Sequence, residues 1–266
     1  MKTILTIAGS DCSGGACIQA DLKTFSAHGL FGMSVVVSVV AENTKEVISV
    51  ENISQKVIED QMDAVFNDIF PEAVKIGMLS TPEVMKSVAL KLKQYKPKNI
   101  VIDPVMYAKN GFPLMDRKNI EALIENIIPL ADLLTPNIPE AEEITKSKIK
   151  TKEDMEKAAI EISKMGCKSV LIKGGHLEGD ALDILYTNNK FYYFNNKRIN
   201  TKNTHGTGCT LSSAIASNLA LGDDISDAVK KGKDYVTLAI ENSLNLGSGN
   251  GPTNHFYALY KKAGMI

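Results

Sequence analysis

The stretch "NTHGTGCT" (203–210) places a thiol, Cys209, directly after Gly206-Thr207-Gly208 and ahead of the apolar run "LSSAIASNLALG". A glycine turn feeding a helix start presents backbone N–H groups and the positive end of a helix dipole to one point, which makes an anion trap. Glycine permits the unusual torsions and lets a phosphate approach the backbone. Thr204, His205 and Thr207 crowd polar groups into the same turn, and the helix that follows is rich in small residues. A cysteine at a helix N-terminus is expected to have a lowered pKa and thiolate character. Beside an anion hole it is either a nucleophile or a base for a substrate hydroxyl. A small buried cysteine packed under a glycine turn is the plain alternative.

Other loops carry complementary groups. "LLTPNIPEAEEI" (133–144) sets Asn137 and Glu140 three apart, a spacing that either opens a helix or holds hydrated Mg²⁺, which takes one or two carboxylates plus phosphate. "VIDPVM" (101–106) adds a lone acid, Asp103, as a metal ligand or a turn former. "LIKGGH" (171–176) offers Lys173 and two glycines. "AGSDCSGGACIQADLKTF" (8–25) supplies a second glycine loop entering a helix, with Asp21 two turns inside as a site residue or a surface acid. An anion hole, a proton acceptor, a Mg²⁺-type carboxylate and a lysine are the inventory of phosphoryl transfer. No G-x-x-x-x-G-K-[ST] and no protein-kinase signature set is present.

These groups converge only if the chain brings their loops to one edge. Short β-branched runs alternate with helical patterns: strands at 3–9, 33–41, 73–78, 99–103, 131–135 and 168–173, helices near 16–28, 54–69, 80–95, 116–128 and 151–166. In helix 54–69 the apolar residues at helical spacing are Val57, Met62, Val65 and Ile69. "DILYTNNKFYYFNN" (183–196) reads as a hairpin turning at Asn188-Asn189, and helices follow at 208–221 and 225–243. Such alternation predicts an α/β fold with a mostly parallel sheet, helices on both faces and one small hairpin, in a single domain over 1–266. Ligands in such sheets sit beyond the carboxyl ends of the strands, so the loops to read are 9–15, 41–45, 77–81, 103–115, 135–140, 173–180 and 203–209.

The 266 residues are 44% hydrophobic and carry a net charge of -1, with no basic stripe, which argues against nucleic-acid binding. No apolar run reaches a membrane-spanning length and the first strand is too short for a signal-peptide core. Four scattered cysteines suit a reducing compartment, and a cytoplasmic protein is expected; a homodimer is left open.

"IAGSDCSGGACIQADLKTFSAHG", "VKIGML", "DPVM", "LTPNIPEAE", "KGGHL" and "NTHGTGCTLSSAIA" occur in an order and spacing that resemble the bacterial hydroxymethylpyrimidine/phosphomethylpyrimidine kinases, from about residue 3 to "GNGPTNHF" (249–256). The resemblance implies a ribokinase-like three-layer fold and ATP- and Mg²⁺-dependent phosphorylation of 4-amino-5-hydroxymethyl-2-methylpyrimidine, then of its monophosphate. It gives Cys209 the role of base and Gly206, Thr207 and Gly208 that of holding the transferring phosphate. Asn137, Lys173 and Thr204 fall on the nucleotide side, Asp103 and Glu140 toward the metal, and Gly9, Asp21, Glu42, Met78 and Val105 at the pyrimidine. The family pattern usually has glutamine where this chain has Glu42, which accepts from an amino group but donates to a ring nitrogen only when protonated. Some relatives phosphorylate pyridoxal with a second cysteine after the "DPVM" strand; here that loop has Ala108. Two further readings remain: a thiol hydrolase pairing Cys209 with His205, and a sensor that has lost its chemistry. The loop 107–115 is a candidate cover for the site.

Overall fold

The computed structural model describes residues 1–109, 111–175 and 181–266. The first strand, β1 (Thr3–Asp11), is buried over almost its whole length, as expected of a strand covered on both faces. It pairs in parallel with β2 (Phe31–Glu42) and with β4 (Ala73–Ile76). The parallel run continues through β5 (Ile100–Ile102), β6 (Leu133–Leu134) and β7 (Ser169–Lys173). An antiparallel strand, β3 (Val47–Asn52), closes one edge, and the hairpin β8 (Ala181–Thr187) and β9 (Lys190–Asn196) extends the other. The sheet order is β3-β2-β1-β4-β5-β6-β7-β8-β9. Asn188 and Asn189 take φ of 50° and 59°, the left-handed pair that a two-residue hairpin turn demands.

Side-chain alternation divides the core in two. Leu5, Ile7, Val35, Ile76, Ile102 and Leu134 pack against one helical layer. That layer is α2 (Gln55–Asp68), α3 (Pro82–Tyr95), α4 (Ile120–Asn126), α5 (Ile138–Thr145) and α6 (Lys152–Ser163). Ile4, Val101 and Leu133, each next in sequence to a residue of the first set, and Leu171, between Val170 and Ile172 of the same layer, point the other way. There they meet α1 (Cys17–Ala27), α7 (Thr207–Leu221) and α8 (Ile225–Glu241). A last short helix, α9 (Tyr257–Lys262), follows. The expected three-layer α/β architecture is the one observed.

Local chemistry sets the helix starts. Thr81 caps α3 ahead of Pro82, and Thr151 with Asp154 forms the expected capping box of α6. Two expectations need correcting. The buried face of α2 is Ile58, Met62 and Phe66, spaced by fours, while Val57 is 46% and Ile69 40% exposed. The edge strand β3 was not anticipated, because its exposed, polar-interrupted "VISVEN" lacks the continuous apolar signature of its covered neighbours.

Candidate active site

All six parallel strands end at the same edge, so Gly9, Glu42 and Lys173 from the strand ends and Met78, Asp103 and Asn137 from the loops just beyond meet there. Above the middle of that edge lies the entrance of α7. Gly206 caps the helix at φ 77°, and any side chain there would run into the carbonyl of Gly15. The Thr207 N–H bonds to the Thr204 carbonyl at 3.3 Å, and the Thr210 N–H bonds to the Gly206 carbonyl at 2.8 Å. Among the described residues the N–H groups of Gly208 and Cys209 have no acceptor. A Cβ on Gly208 would lie 3.2 Å from Asp103 Oδ2 and 3.5 Å from Lys173 Nζ, so the bare backbone lets an acid and a cation reach these amides.

Asp103 and Lys173 are paired at 2.6 Å, and Thr135 Oγ1 donates to the same Asp103 oxygen at 3.2 Å. Asn137 and Glu140 form a reciprocal cap: Glu140 N–H donates to Asn137 Oδ1, and Asn137 N–H donates to Glu140 Oε2. Burial pushes the Glu140 carboxyl up to about 7; Lys173 opposes that shift and Asp103 adds to it. Burial alone would lower Lys173, but Asp103 and Glu140 outweigh it and its pKa is raised.

Beneath the α7 entrance, α1 and α7 lie side by side with their N-termini together. Ser213 donates to Asp21 at 2.6 Å, and one turn earlier on each helix the Cys17 N–H faces the Cys209 sulfur. Asp21 also accepts from Thr6 Oγ1 at 2.6 Å and from Lys75 Nζ at 2.9 Å to each oxygen. Asp21 and Lys75 are both fully buried, so Asp21 is an internal anchor and the surface-acid alternative does not describe it. Cys209 departs from expectation more sharply. It packs with Ala16, Cys17 and Ala20, and burial pushes its thiol up to about 11 despite the favourable Lys75 charge and the Cys17 amide. Desolvation of the sulfur outweighs the helix N-terminus.

The first glycine loop, which enters α1 as expected, is organised internally. Asp11 fills it from within: Oδ1 accepts from Ser13 N–H at 2.7 Å, and Oδ2 accepts from Gly15 and Ala16 N–H at 3.0 and 2.8 Å. His205 Nε2 lies 2.9 Å from that same Oδ2, tying the first loop to the second. Burial would raise Asp11, but hydrogen bonds from His205, Ser13 and Ala16 hold it at about 2. Glu42 stands beside this pair, where burial and the Asp11 charge push its carboxyl up to about 7. The ligand atoms of Asp11, Glu42 and His205 lie within 4.8 Å of one another. Three donors already converge on Asp11 Oδ2, so this trio acts as a hydrogen-bond node and offers a metal little.

Gly9, Met78 and Val105 do gather. A Cβ on Gly9 would sit 3.1 Å from Met78 Cε, and Met78 packs with Val40 and Val47, against which Val105, Ala108 and Leu114 lie. A bridge pairs Tyr107 with Pro113, and Ala108 and Leu114 lie against this cluster; residue 110 of the 107–115 stretch lies outside the described residues. A groove of about 980 Å³ lies at the opposite end of the sheet between Lys96, Ile100, Pro129 and Lys168. Lys168 is held there by Asp132 at 2.6 Å, and the groove touches none of the groups above.

The family model for phosphomethylpyrimidine kinase matches residues 11–254. The chain belongs to the phosphomethylpyrimidine kinase family. It is 45% identical to a hydroxymethylpyrimidine/phosphomethylpyrimidine kinase of Staphylococcus aureus over 99% of this chain and 96% of that one. It is 47% identical to a thiamine biosynthesis bifunctional protein of Geobacter sulfurreducens, covering 96% of this chain and 52% of that longer protein. Among solved structures it resembles a Clostridium difficile phosphomethylpyrimidine kinase (52% identity, 90% of this chain and 100% of that one, TM-score 0.82). It also resembles a Staphylococcus aureus pyridoxal kinase in complex with AMP-PCP and pyridoxal (34%, 96% and 93%, TM-score 0.88).

Within this member of the phosphomethylpyrimidine kinase family, the structure collects Gly206, Gly208, Cys209, Asp103 and Lys173 at one point and Asn137 with Glu140 beside them. Thr204 lends its carbonyl to Thr207 and stays in the turn. Lys75 and Asp11 were missed by sequence reasoning. The signal for Lys75 was a lysine inside the otherwise apolar "AVKIGM"; for Asp11 it was the aspartate that opens the glycine loop. Of the segment 173–180, residues 176–180, His176 among them, lie outside the described residues.

Proposed function

We propose that the chain transfers the terminal phosphoryl group of ATP to the hydroxymethyl group of 4-amino-5-hydroxymethyl-2-methylpyrimidine, and then phosphorylates the monophosphate, in the cytoplasm. The observation that carries the reading is the pair of acceptor-free amides, Gly208 and Cys209, beside the Asp103–Lys173 pair. They supply donors and one cation where a transferring phosphoryl group needs them, without reorganisation at the moment of reaction. Family membership over 11–254 identifies which phosphoryl transfer to expect.

The chain's own groups divide the work. Gly206 shapes the turn, and the α7 N-terminus with Lys173 draws the phosphate tail in. Asp103 and Glu140 are two carboxylates against the one ammonium of Lys173, a hard-oxygen donor set that fits Mg²⁺. Bound there, the ion would neutralise phosphate charge. Cys209 lies at the anion hole as the group that takes the hydroxyl proton, from a thiolate that its raised pKa makes scarce but strongly basic. Glu42 faces the heterocycle as a carboxyl near its midpoint at neutral pH. In its protonated form it can donate to a ring nitrogen while accepting from an amino group.

Phosphorylation of pyridoxal is the second reading, supported by the 34% identity to a pyridoxal kinase. Against it stands Ala108, where a second cysteine would be expected after β5. ATP consumption measured side by side on the aminopyrimidine alcohol, its monophosphate and pyridoxal decides between them. Faster turnover of pyridoxal than of both pyrimidines would overturn the first reading, and turnover without nucleotide would overturn both.

A further inference from the structure

β2 carries one residue more than β1 near the ligand edge, where the register shifts and pairing then continues to Asp11 and Val40: Ala8 pairs with Val36, but Gly9 pairs with Ser38. Such a bulge re-aims the side chains that follow it. Here it turns Ser38 toward Gly9, whose missing side chain leaves the room; a Cβ on Gly9 would lie 2.8 Å from Ser38 Oγ. The same point is 3.1 Å from Met78 Cε and 3.6 Å from Val40 Cγ2, so the hydroxyl borders the apolar cluster of Val40, Met78, Val105 and Leu114. Ser38 is fully buried, and its Oγ is the buried side-chain oxygen that has no hydrogen-bond partner among the described residues.

A buried hydroxyl without a partner is unfavourable, and native interiors rarely tolerate one without a reason. The contrast within this site is sharp, since Thr6, Asp21 and Ser213, equally buried, are fully matched. We propose that Ser38 is a specificity-determining residue whose hydroxyl donates to a ring nitrogen of the heteroaromatic alcohol bound between Gly9 and Met78. Apolar walls suit a flat ring, and a single donor among them selects a ring that carries an acceptor nitrogen over one that does not. The inference rests on the pyrimidine-kinase reading and adds a residue to it.

The test compares the parent with Ser38→Ala by calorimetry, using the aminopyrimidine alcohol and its phenyl analogue without ring nitrogens, with a non-hydrolysable ATP analogue as control. The expected result is roughly tenfold weaker binding of the pyrimidine by Ser38→Ala, about the loss of one hydrogen bond. The phenyl analogue should bind both forms alike, and nucleotide binding should not change. With its unmatched hydroxyl removed, the ligand-free variant should also melt higher, by about 2 °C. Should Ser38→Ala fail to fold, the near-isosteric Ser38→Cys takes its place, with a smaller loss of pyrimidine affinity expected. Undiminished pyrimidine binding in the folded variant overturns the Ser38 contact and leaves the kinase reading intact. A parent that neither binds nor phosphorylates any pyrimidine alcohol overturns the reading and the contact together.

Discussion

At the scale of single residues the site is governed by desolvation. Cys209 is held as a thiol, with a pKa pushed up to about 11 by burial, so at pH 7 only about one molecule in ten thousand carries the thiolate. If that thiolate is the base, turnover should climb about tenfold per pH unit from pH 8 to 9.5, above the range in which the raised carboxyls titrate. Cys209→Ser should depress turnover by a factor of about a hundred or more and flatten that climb, while pyrimidine affinity stays put. A parent profile level above pH 8 would remove Cys209 from the proton's path. Glu42 gives a second prediction. Its carboxyl is raised to about 7 by burial first and by Asp11 second, so the folded state favours the protonated form. That contribution to stability is complete below the ordinary glutamate value and is lost as pH rises through about 7. Relative to Glu42→Gln, the parent should therefore lose thermal stability between pH 5 and 8, and its pyrimidine affinity should vary with pH where the variant's does not. Parallel melting and binding curves for the two proteins would contradict the assignment.

Among elements, the pairing of α1 with α7 does most to build the site. Two helices with their N-termini together set Cys17 against Cys209 and Asp21 against Ser213, and Lys75 reaches up from β4 to lock the second rung. A fully buried ion pair is a poor source of net stability, yet breaking one side of it is costly. Lys75→Met, which strands the Asp21 charge, should destabilise the fold by about 3–5 kcal/mol in denaturant unfolding, whereas Lys75→Met with Asp21→Asn should recover most of that loss. Equal losses in the two variants would mean that packing, and not charge, is what the pair provides. This rung also marks the limit of what the sequence disclosed. The strands were legible because covered strands read as unbroken apolar runs, and the capping box of α6 because Thr151 and Asp154 stand at fixed spacing. The candidate groups Asp103, Asn137, Glu140, Lys173 and Cys209 were legible because each follows a strand or opens a helix. What could not be read was which partner each would meet. Asp21 looks like any helix acid until Thr6, Lys75 and Ser213 are folded around it, and Cys209 looks activated until Ala16 and Ala20 close over the sulfur.

For the molecule as a whole, the proposed function would let the sheet order sort the two reactants. At their carboxyl ends β1, β2 and β4 bring in Gly9, Glu42 and, two residues beyond β4, Met78, whereas β5, β6 and β7 bring in Asp103 and Asn137 from the loops just beyond and Lys173 as the last residue of β7. The α7 entrance stands between them: Gly206 lies against Gly15 on one side, and Gly208 against Asp103 and Lys173 on the other. An alcohol entering over the first three strands and a nucleotide over the second three would meet at the Gly208 and Cys209 amides. Charge follows the same division, for Lys173 sits on the proposed nucleotide side, with Asp103 and Glu140 against it. Lys173→Met should therefore raise the KM for ATP and lower kcat, together costing about a hundredfold or more in kcat/KM for the nucleotide, a loss of the size seen when one donor to a transition-state charge is removed. Removing that ammonium also removes the influence that restrains Glu140, so the Glu140 carboxyl should titrate still higher and the variant's remaining activity should shift toward alkaline pH. Pyrimidine binding measured without nucleotide should be unaffected, because Lys173 lies on the far side of the α7 entrance. A matching loss of pyrimidine affinity in Lys173→Met would show that the two halves of the edge are not separate sites and that the topology does not sort the reactants in this way.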